Sequence, residues 1–212
     1  MYVGRIVAAG RSARGANAVL YRVSSRSFPN RRVVDLGGRL AVVPREGHEA
    51  DVHKNPYIAY DCLRIAGEWA IATNGSHTDP IAEKVAMGVP VRDALVACLL
   101  AMDYEKDAYD TPRIAAAVPA HGDRGWLAIV RRDGLEVQEV ALRAGRCTWI
   151  ATYEADRVDP ERTLELDAED AAAAACFAAD GGGFSALVNP VTSAAALARA
   201  DGFELGSFTV EA

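Results

Sequence analysis

The sequence is poor in the residues that form disulfides and bind metals. Its 212 residues include four cysteines and four histidines. The cysteines, at positions 62, 98, 147 and 176, are widely separated and form no CxxC pair, and the histidines show no HxH, HxxxH or HExxH spacing. We therefore expect no disulfide framework and no metal site, and we expect the cysteines to be reduced and buried.

Long apolar runs and excess positive charge are also missing. No window of about 18 residues is continuously apolar, so a membrane span is not expected. The first residues, MYVGRIVAAG, lack the layout of a signal peptide. The net charge is −6, which provides no general field for holding nucleic acid. These features are typical of a cytoplasmic protein that binds neither membranes nor nucleic acid.

Motifs for nucleotide cofactors and covalent catalysis are absent as well. The GGGF segment at 181–184 matches neither GxGxxG nor a Walker A loop, and it follows a helical pattern instead of a strand. The sequence has no GxSxG motif, and Tyr2 stands where an exposed N-terminal nucleophile would need Ser, Thr or Cys. These absences argue against NAD and ATP as ligands.

What remains is a globular composition, with 50% apolar and 25% charged residues. The segments with strand-like patterns are 2–9, 18–24, 33–36, 40–43, 58–65, 69–73, 113–118, 126–131, 135–142, 148–153 and 203–210. Helical patterns cover residues 79–87, 90–104 and 167–179. No break in composition divides the chain, so residues 1–212 are predicted to form one α+β domain, with two antiparallel sheets face to face and helices outside.

A basic segment at 21–32 is the first candidate for binding. It contains four arginines and three serines. Guanidinium groups bind phosphate through paired donors, so Arg22, Arg26 and Ser25 are candidates for a phosphate clamp. The alternative is a solvated basic loop, which this segment alone favours, and Arg31 and Arg32 are expected to face water.

Two turns supply candidate amides and hydroxyls. In the NPY sequence the proline holds Asn55 extended, and Tyr57 can contact an anion or a base, although a structural turn is equally consistent. The TNGSHTDP sequence joins a strand to a helix, and Asn74 and Ser76 lie where free N–H groups favour negative charge. Simple helix capping is the alternative there.

Ionisable side chains crowd the segment 103–113, which follows an apolar helix. An exposed helix end would explain the crowding. If the helix instead ends in a cavity, Glu105 and Lys106 form a pair suited to proton transfer, with Asp107 and Asp110 as further contacts.

Five blocks together resemble the archaeal-type IMP cyclohydrolase family. They are YRVSSRSFPNR, NPYIAYDCLR, ATNGSHTDPIAEK, LLAMDYEKDAYDTPRIA and IVRRDGLEV, in that order, and the opening YVGRIV fits too. The resemblance is close over residues 1–142 and looser beyond. It implies a four-layer αββα fold like that of the N-terminal nucleophile hydrolases, without the processed nucleophile.

The resemblance also implies a reaction: 5-formamidoimidazole-4-carboxamide ribonucleotide closes to inosine 5′-monophosphate with loss of water. Glu105 would transfer protons, and Lys106 would donate to the oxyanion or adjust the pKa of Glu105. Tyr57, Asn55 and Asn74 would orient the reacting groups. No metal or cofactor is required, and a homo-oligomer is common among such folds. A close analogue of the substrate, a small linear-amide hydrolase of the same fold and a non-catalytic nucleotide-binding protein stay open as alternatives.

Overall fold

A computed structural model describes residues 1–211 of the protein; Ala212, the last residue of the predicted domain, lies outside the described residues. The strands are β1 (Arg5–Arg11), β2 (Asn17–Ser24), β3 (Arg31–Asp35), β4 (Arg39–Pro44), β5 (Tyr60–Ala66), β6 (Trp69–Thr73), β7 (Arg113–Pro119), β8 (Arg124–Arg131), β9 (Gly134–Ala141), β10 (Arg146–Ala151), β11 (Thr163–Glu165), β12 (Pro190–Arg199) and β13 (Gly202–Thr209). The helices are α1 (Asp51–Lys54), α2 (Thr78–Ala86), α3 (Val91–Met102) and α4 (Ala171–Asp180). Short 3-10 turns span Pro56–Ile58 and Gly182–Ala186.

The strands form two antiparallel sheets. The first has the order β11-β10-β1-β2-β12-β13, and the second has the order β3-β4-β5-β6-β7-β8-β9. The predicted hairpins are confirmed: β1 pairs with β2, β3 with β4, and β5 with β6. Gly37 and Gly38 both have positive φ, 78° and 83°, as a two-residue turn between right-twisted strands requires. The α+β class with two antiparallel sheets is therefore observed.

Side chains that alternate along each strand build two different cores. Val7 on β1 and Val19 on β2 pack between the two sheets, together with Leu63 and Ile114 of the second sheet. Their neighbour Leu20 faces the other way, toward α4. Both faces of these central strands are covered, which explains why every residue of β2 is buried.

Helices cover the outward faces of both sheets. Helix α4 packs on β12 and β13, and α2 and α3 pack on the second sheet. Asp170 caps α4 by accepting a hydrogen bond from Ala173 N at 2.7 Å, so this helix begins four residues later than the pattern from residue 167 predicts.

The cysteines are unpaired, and one of them corrects the expectation of burial. Cys62, Cys98 and Cys147 are buried, as predicted. Cys176 is exposed, because it lies on the face of α4 that is turned away from the sheet.

The alanine-rich segment near the end of the chain is a strand. Residues 190–199 form β12, which pairs with β2 on one side and β13 on the other. Burial on both faces overrides the helix propensity of alanine here. No helix within residues 1–211 combines the length and apolar character that a membrane crossing requires.

Candidate active site

A cleft opens at one end of the interface between the two sheets. It measures about 500 Å³ out to its open mouth. Its walls come from the start of β1, the segment before β3, the turn before β5 and the loop between α3 and β7. The residues that line it are Tyr2, Arg5, Ser25, Ser27, Phe28, Arg31, Asn55, Tyr57, Ile58, Glu105, Asp107, Tyr109 and Tyr153.

Strand alternation delivers two arginines to the inner part of this cleft. Arg5 shares its strand face with Val7, and Arg31 shares its face with Val33, and both valines belong to the core between the sheets. Since side chains two positions apart point the same way, both guanidinium groups point toward that interface where it opens. Arg31 is almost fully buried and donates from Nε to Phe28 O at 3.0 Å.

Glu105 is the most deeply buried acid of the cleft, with 1% of its side chain exposed. Helix α3 ends just before it, where Asp103 adopts a positive φ of 55° and turns the chain inward. The Glu105 N–H then donates to Thr111 O at 2.8 Å. This closed loop points the carboxyl group into the protein instead of into solvent.

Two guanidinium groups flank the Glu105 carboxyl without binding it tightly. Arg5 Nη2 lies 3.7 Å from Oε2, and Arg113 Nη1 lies 3.5 Å from Oε1. Burial raises the pKa of Glu105 to about 7, against the lowering effect of Arg5 and Arg113, and Asp107 raises it further. A carboxyl group with a pKa near neutrality can both accept and donate a proton at working pH.

A hydrogen-bond network fixes the loop that carries Glu105. Asp107 accepts from Thr111 N at 2.9 Å and from the Thr111 hydroxyl at 2.7 Å. The same hydroxyl lies 2.8 Å from the Tyr153 hydroxyl, at the end of the first sheet. The loop is thereby tied to the sheet opposite its own.

A pair of tyrosines also joins the two sheets behind the cleft. The hydroxyl groups of Tyr21 on β2 and Tyr60 on β5 are hydrogen-bonded to each other. Burial raises the pKa of both phenols, while the neighbouring Arg31 and Arg5 oppose that shift at Tyr60. Both phenols are therefore neutral at neutral pH.

The mouth of the cleft contains a further cation. The Arg26 guanidinium lies over the ring of Tyr2, 3.9 Å from the ring centroid. It has no ion pair or hydrogen bond within the described residues, so its donors are available to a ligand. An outer compartment adjoins the inner cleft and measures about 680 Å³ with open solvent included; it is lined by Tyr2, Arg26, Ser27, Tyr109, Tyr153 and Glu154.

Several of the predicted site residues come together in this cleft. Ser25, Asn55, Tyr57, Glu105 and Asp107 line its inner part. Arg26 lines the outer compartment. Asn55 uses its side-chain oxygen to accept from Tyr57 N at 2.8 Å, which shapes the turn, and its amide nitrogen remains a donor.

Arg22 requires a correction, because it does not face the cleft. It lies on the α4 side of β2, one position after Tyr21 and therefore on the opposite face. It donates to Ser24 Oγ at 3.0 Å, to Phe184 O in the second 3-10 turn at 2.8 Å, and to Leu187 O at 2.7 Å. Its guanidinium is buried and already bound, so it is not available to hold a phosphate.

Two predicted residues in the turn before α2 also lie outside the cleft. Asn74 is buried, and its side-chain amide donates to Pro112 O and accepts from Ile114 N. These hydrogen bonds hold the backbone in place and leave the amide unavailable to a ligand. Ser76 is exposed on the same turn and does not line the cleft.

Two charged residues near Glu105 are likewise directed away from the cleft. Lys106 is exposed to solvent, where it pairs with Asp103. Asp110 pairs with Arg132 in a neighbouring groove. Neither the oxyanion contact predicted for Lys106 nor the substrate contact predicted for Asp110 fits these positions.

Sequence reasoning did not single out Arg5, and its expectation that Arg31 faces water is wrong, because Arg31 is buried in the cleft. Arg5 and Arg31 each stand two positions before a core valine, at the start of a strand. That spacing places a charged side chain on the strand face toward the core. It could have identified both arginines from the sequence. Arg113 was missed for another reason: its contact with Glu105 depends on how the loop 103–112 folds back, and no local pattern encodes that.

The described residues contain no group of three or more His, Cys, Asp or Glu side chains placed to hold a metal ion. The cleft is instead built from arginines, tyrosines and one buried carboxyl group. Such a set suits an anionic ligand whose reaction is controlled by proton transfer.

The chain is similar to proteins of one family. Residues 2–202 match the family model described as IMP cyclohydrolase-like protein. A protein of Natronomonas pharaonis named IMP cyclohydrolase is 47% identical over the full length of both chains. Proteins of the same name from Methanocella arvoryzae and Methanosphaera stadtmanae are 46% and 45% identical, covering 98% and 92% of this chain and 98% and 94% of their own. The chain therefore belongs to the IMP cyclohydrolase-like family.

Proposed function

We propose that the protein is an IMP cyclohydrolase, which closes 5-formamidoimidazole-4-carboxamide ribonucleotide to inosine 5′-monophosphate with loss of water. The observation that carries the proposal is Glu105, a buried carboxyl group with a pKa of about 7 between two guanidinium groups. The names of the relatives support the same reaction.

The reaction needs a group that moves protons in both directions. The carboxamide nitrogen attacks the formyl carbon, a C–N bond forms, and the carbonyl oxygen becomes an alkoxide. Glu105 takes a proton from the attacking nitrogen and passes it to the alkoxide, which becomes a hydroxyl group. It then takes the proton of the former formamide nitrogen and passes it to that hydroxyl, which leaves as water as the C–O bond breaks and the ring becomes aromatic. One carboxyl group near its pKa can perform these transfers in turn.

The inner arginines suit the charge that develops on the formyl oxygen. Arg5 lies beside Glu105, and the Nη groups of Arg31 have no acceptor within residues 1–211. Fixed cations in a buried site stabilise an oxyanion more strongly than solvent does. We assign Arg5 and Arg31 to this oxygen and to the carboxamide oxygen.

The mouth of the cleft suits the 5′-phosphate. Arg26 offers free donors there, and Ser27 lies beside it. Ser25 accepts from Phe28 N at 3.0 Å, which leaves its hydroxyl hydrogen for a ligand. Asn55 and Tyr57 line the cleft between the phosphate and the reacting groups, where they can orient the imidazole and ribose.

We infer a single domain over residues 1–212 with four αββα layers, resembling the N-terminal nucleophile hydrolases. The packing of α4 on one sheet and of α2 and α3 on the other supports it. Tyr2 lines the cleft but offers no nucleophile, which argues against a linear-amide hydrolase. A homo-oligomer and a cytoplasmic location stay predictions.

A ring-closure assay tests the function. The protein is mixed with the formamido ribonucleotide, and the ultraviolet absorbance of the product is followed without added cofactor. Glu105→Gln keeps the shape of the side chain but removes proton transfer, so turnover should fall by about 10²–10⁴-fold. Glu165→Gln, at an exposed acid on β11, is the matched control.

Three outcomes separate the candidates. Cyclisation by the native protein and loss in Glu105→Gln support the proposal. Binding of inosine 5′-monophosphate without any turnover would identify a non-catalytic nucleotide-binding protein. Near-normal turnover by Glu105→Gln would show that Glu105 does not transfer protons in the reaction.

A further inference from the structure

A buried histidine lies directly behind Glu105. His77 is fully buried, and its Nε2 is 3.0 Å from Ile114 O. A carbonyl oxygen can only accept, so Nε2 carries the hydrogen and Nδ1 keeps a lone pair. Burial, with help from Arg113, lowers the pKa of His77 to about 3, so the ring is neutral.

The turn that carries His77 is fixed to the strand that carries Arg113. Asn74 Oδ1 accepts from Ile114 N at 2.7 Å, and Asn74 Nδ2 donates to Pro112 O at 2.9 Å. These bonds come from residues on both sides of Arg113. The imidazole and the guanidinium group are therefore held in one rigid frame.

Gly75 leaves a small space between the three polar groups. A methyl group on its Cα would lie 2.9 Å from Arg113 Nη1, 3.3 Å from Glu105 Oε1 and 3.4 Å from His77 Nδ1. All three atoms thus border the same point. A side chain at position 75 would push them apart.

Two buried acceptors in this cluster lack a donor. Within residues 1–211, neither His77 Nδ1 nor Glu105 Oε2 has a hydrogen-bond partner. An unsatisfied buried polar group destabilises the folded state. While Glu105 is ionised, it cannot donate to the imidazole. Once Glu105 carries a proton on Oε1, the oxygen that borders the same point as His77 Nδ1, its hydroxyl can donate a hydrogen bond to that nitrogen.

On the basis of the proposed function, we propose that His77 is a positioning residue whose Nδ1 accepts a hydrogen bond from the protonated Glu105 carboxyl. No covalent bond changes and no further reactant is needed. The proton taken from the substrate stays on Glu105, held in place until the departing hydroxyl collects it. His77 therefore acts on the reaction through Glu105 and does not touch the substrate.

The charged and titratable groups that face Glu105 come from four elements. They are Arg5 on β1, Arg113 on β7, Asp107 in the same loop and His77 in the turn before α2. The arginines favour the ionised carboxyl, and Asp107 and His77 favour the protonated one. Removing the His77 acceptor should therefore make Glu105 a stronger acid.

A matched pair of variants tests this. His77→Gln keeps a donor for Ile114 O but loses the acceptor at Nδ1, and His77→Asn does the reverse. The pH profile of kcat for ring closure should shift to lower pH by about 0.7 units in His77→Gln, the equivalent of one hydrogen bond. His77→Asn should keep the native midpoint. Equal midpoints in all three proteins, or equal shifts in both variants, would overturn the proposal.

Nitrogen NMR of the native protein gives a second measurement that needs no variant to fold and no turnover. The Nδ1 resonance of His77 should move upfield, as a hydrogen-bonded lone pair does, when the pH falls through the titration of Glu105. In Glu105→Gln it should not respond to pH. A native Nδ1 signal that is constant between about pH 5 and 9, on either side of the Glu105 pKa, would refute the contact, whether or not the protein closes the ring. Loss of ring closure alone would refute only the proposed function.

Discussion

At the scale of single residues, Glu105 shows how burial can outweigh two neighbouring cations. Its contacts with Arg5 and Arg113 are 3.7 and 3.5 Å long. A tight charge-assisted hydrogen bond is about 2.7–2.9 Å, so neither arginine compensates fully for the lost water. The pKa of the carboxyl group therefore lies near neutrality, because the neighbouring cations do not form tight hydrogen bonds with it.

The activity should follow the ionisation of this one group. Burial raises the pKa of Glu105 to about 7, and the reaction begins with Glu105 as a base. We therefore expect kcat to rise with pH along a limb whose midpoint is near this pKa. Initial rates measured across about pH 5–9 at saturating substrate check this. A flat profile over that range would exclude Glu105 as the base.

The same raised pKa should cost stability at high pH. The folded state holds a proton on Glu105 between pH 4.5 and about 7, where the unfolded state has released it. The unfolding free energy thus falls as pH rises through this window. The side chain in Glu105→Gln does not ionise, so the variant escapes this loss. Its unfolding free energy relative to that of the native protein should therefore increase by about 3 kcal/mol from about pH 4 to about pH 8. Urea unfolding of both proteins at the two pH values measures the difference.

At the scale of elements, the period of two along a strand decides which arginines can reach a ligand. Arg22 follows Tyr21 on β2 and so faces α4, where three acceptors bind it. Arg26 lies beyond the end of β2, where side chains no longer alternate between the two faces of the sheet. It therefore reaches the mouth of the cleft.

Substitution of these two arginines should separate folding from binding. Arg22→Ala breaks buried hydrogen bonds of a charged group and should lower the unfolding free energy by about 2–4 kcal/mol. Arg26→Ala should leave stability nearly unchanged and weaken the binding of inosine 5′-monophosphate by about tenfold, with little effect on inosine. Calorimetric titration and thermal unfolding measure the two effects. Equal losses of affinity for the nucleotide and the nucleoside would show that Arg26 does not bind the phosphate.

The elements themselves were largely predictable, and the site only in part. Glycine pairs and alternating patterns located the hairpins, and the acidic segment after α3 gave Glu105 and Asp107. The partners of Glu105 could not be found this way, because Arg5 and Arg113 reach it only after the two sheets have packed. The phosphate contact predicted for Arg22 is wrong because Arg22 lies on the face of the predicted strand opposite Tyr21, where buried acceptors already bind it.

At the scale of the whole molecule, the cleft is a junction between the two sheets. Arg5 and Tyr153 belong to the first sheet or its ends, while Arg31 and Asn55 belong to the second sheet or its connections. A ligand in the cleft would therefore contact both sheets at once and oppose their separation.

Ligand binding should stabilise segments that are far apart in the sequence. At a concentration about 100 times its Kd, inosine 5′-monophosphate should add about 2.7 kcal/mol to the unfolding free energy. Hydrogen exchange should slow at the starts of β1 and β3 and in the loop 103–112. Exchange that slows in only one of these segments would show that the ligand binds elsewhere.

The position of β12 has a consequence for the synthesis of the protein. This strand lies between β2 and β13, although β2 is made among the first 24 residues and β12 only after residue 189. During translation the backbone groups along one side of β2 stay unpaired until most of the chain has left the ribosome, and an open strand edge invites association with other chains. Nascent chains halted before residue 190 should therefore need a chaperone more than the finished protein does.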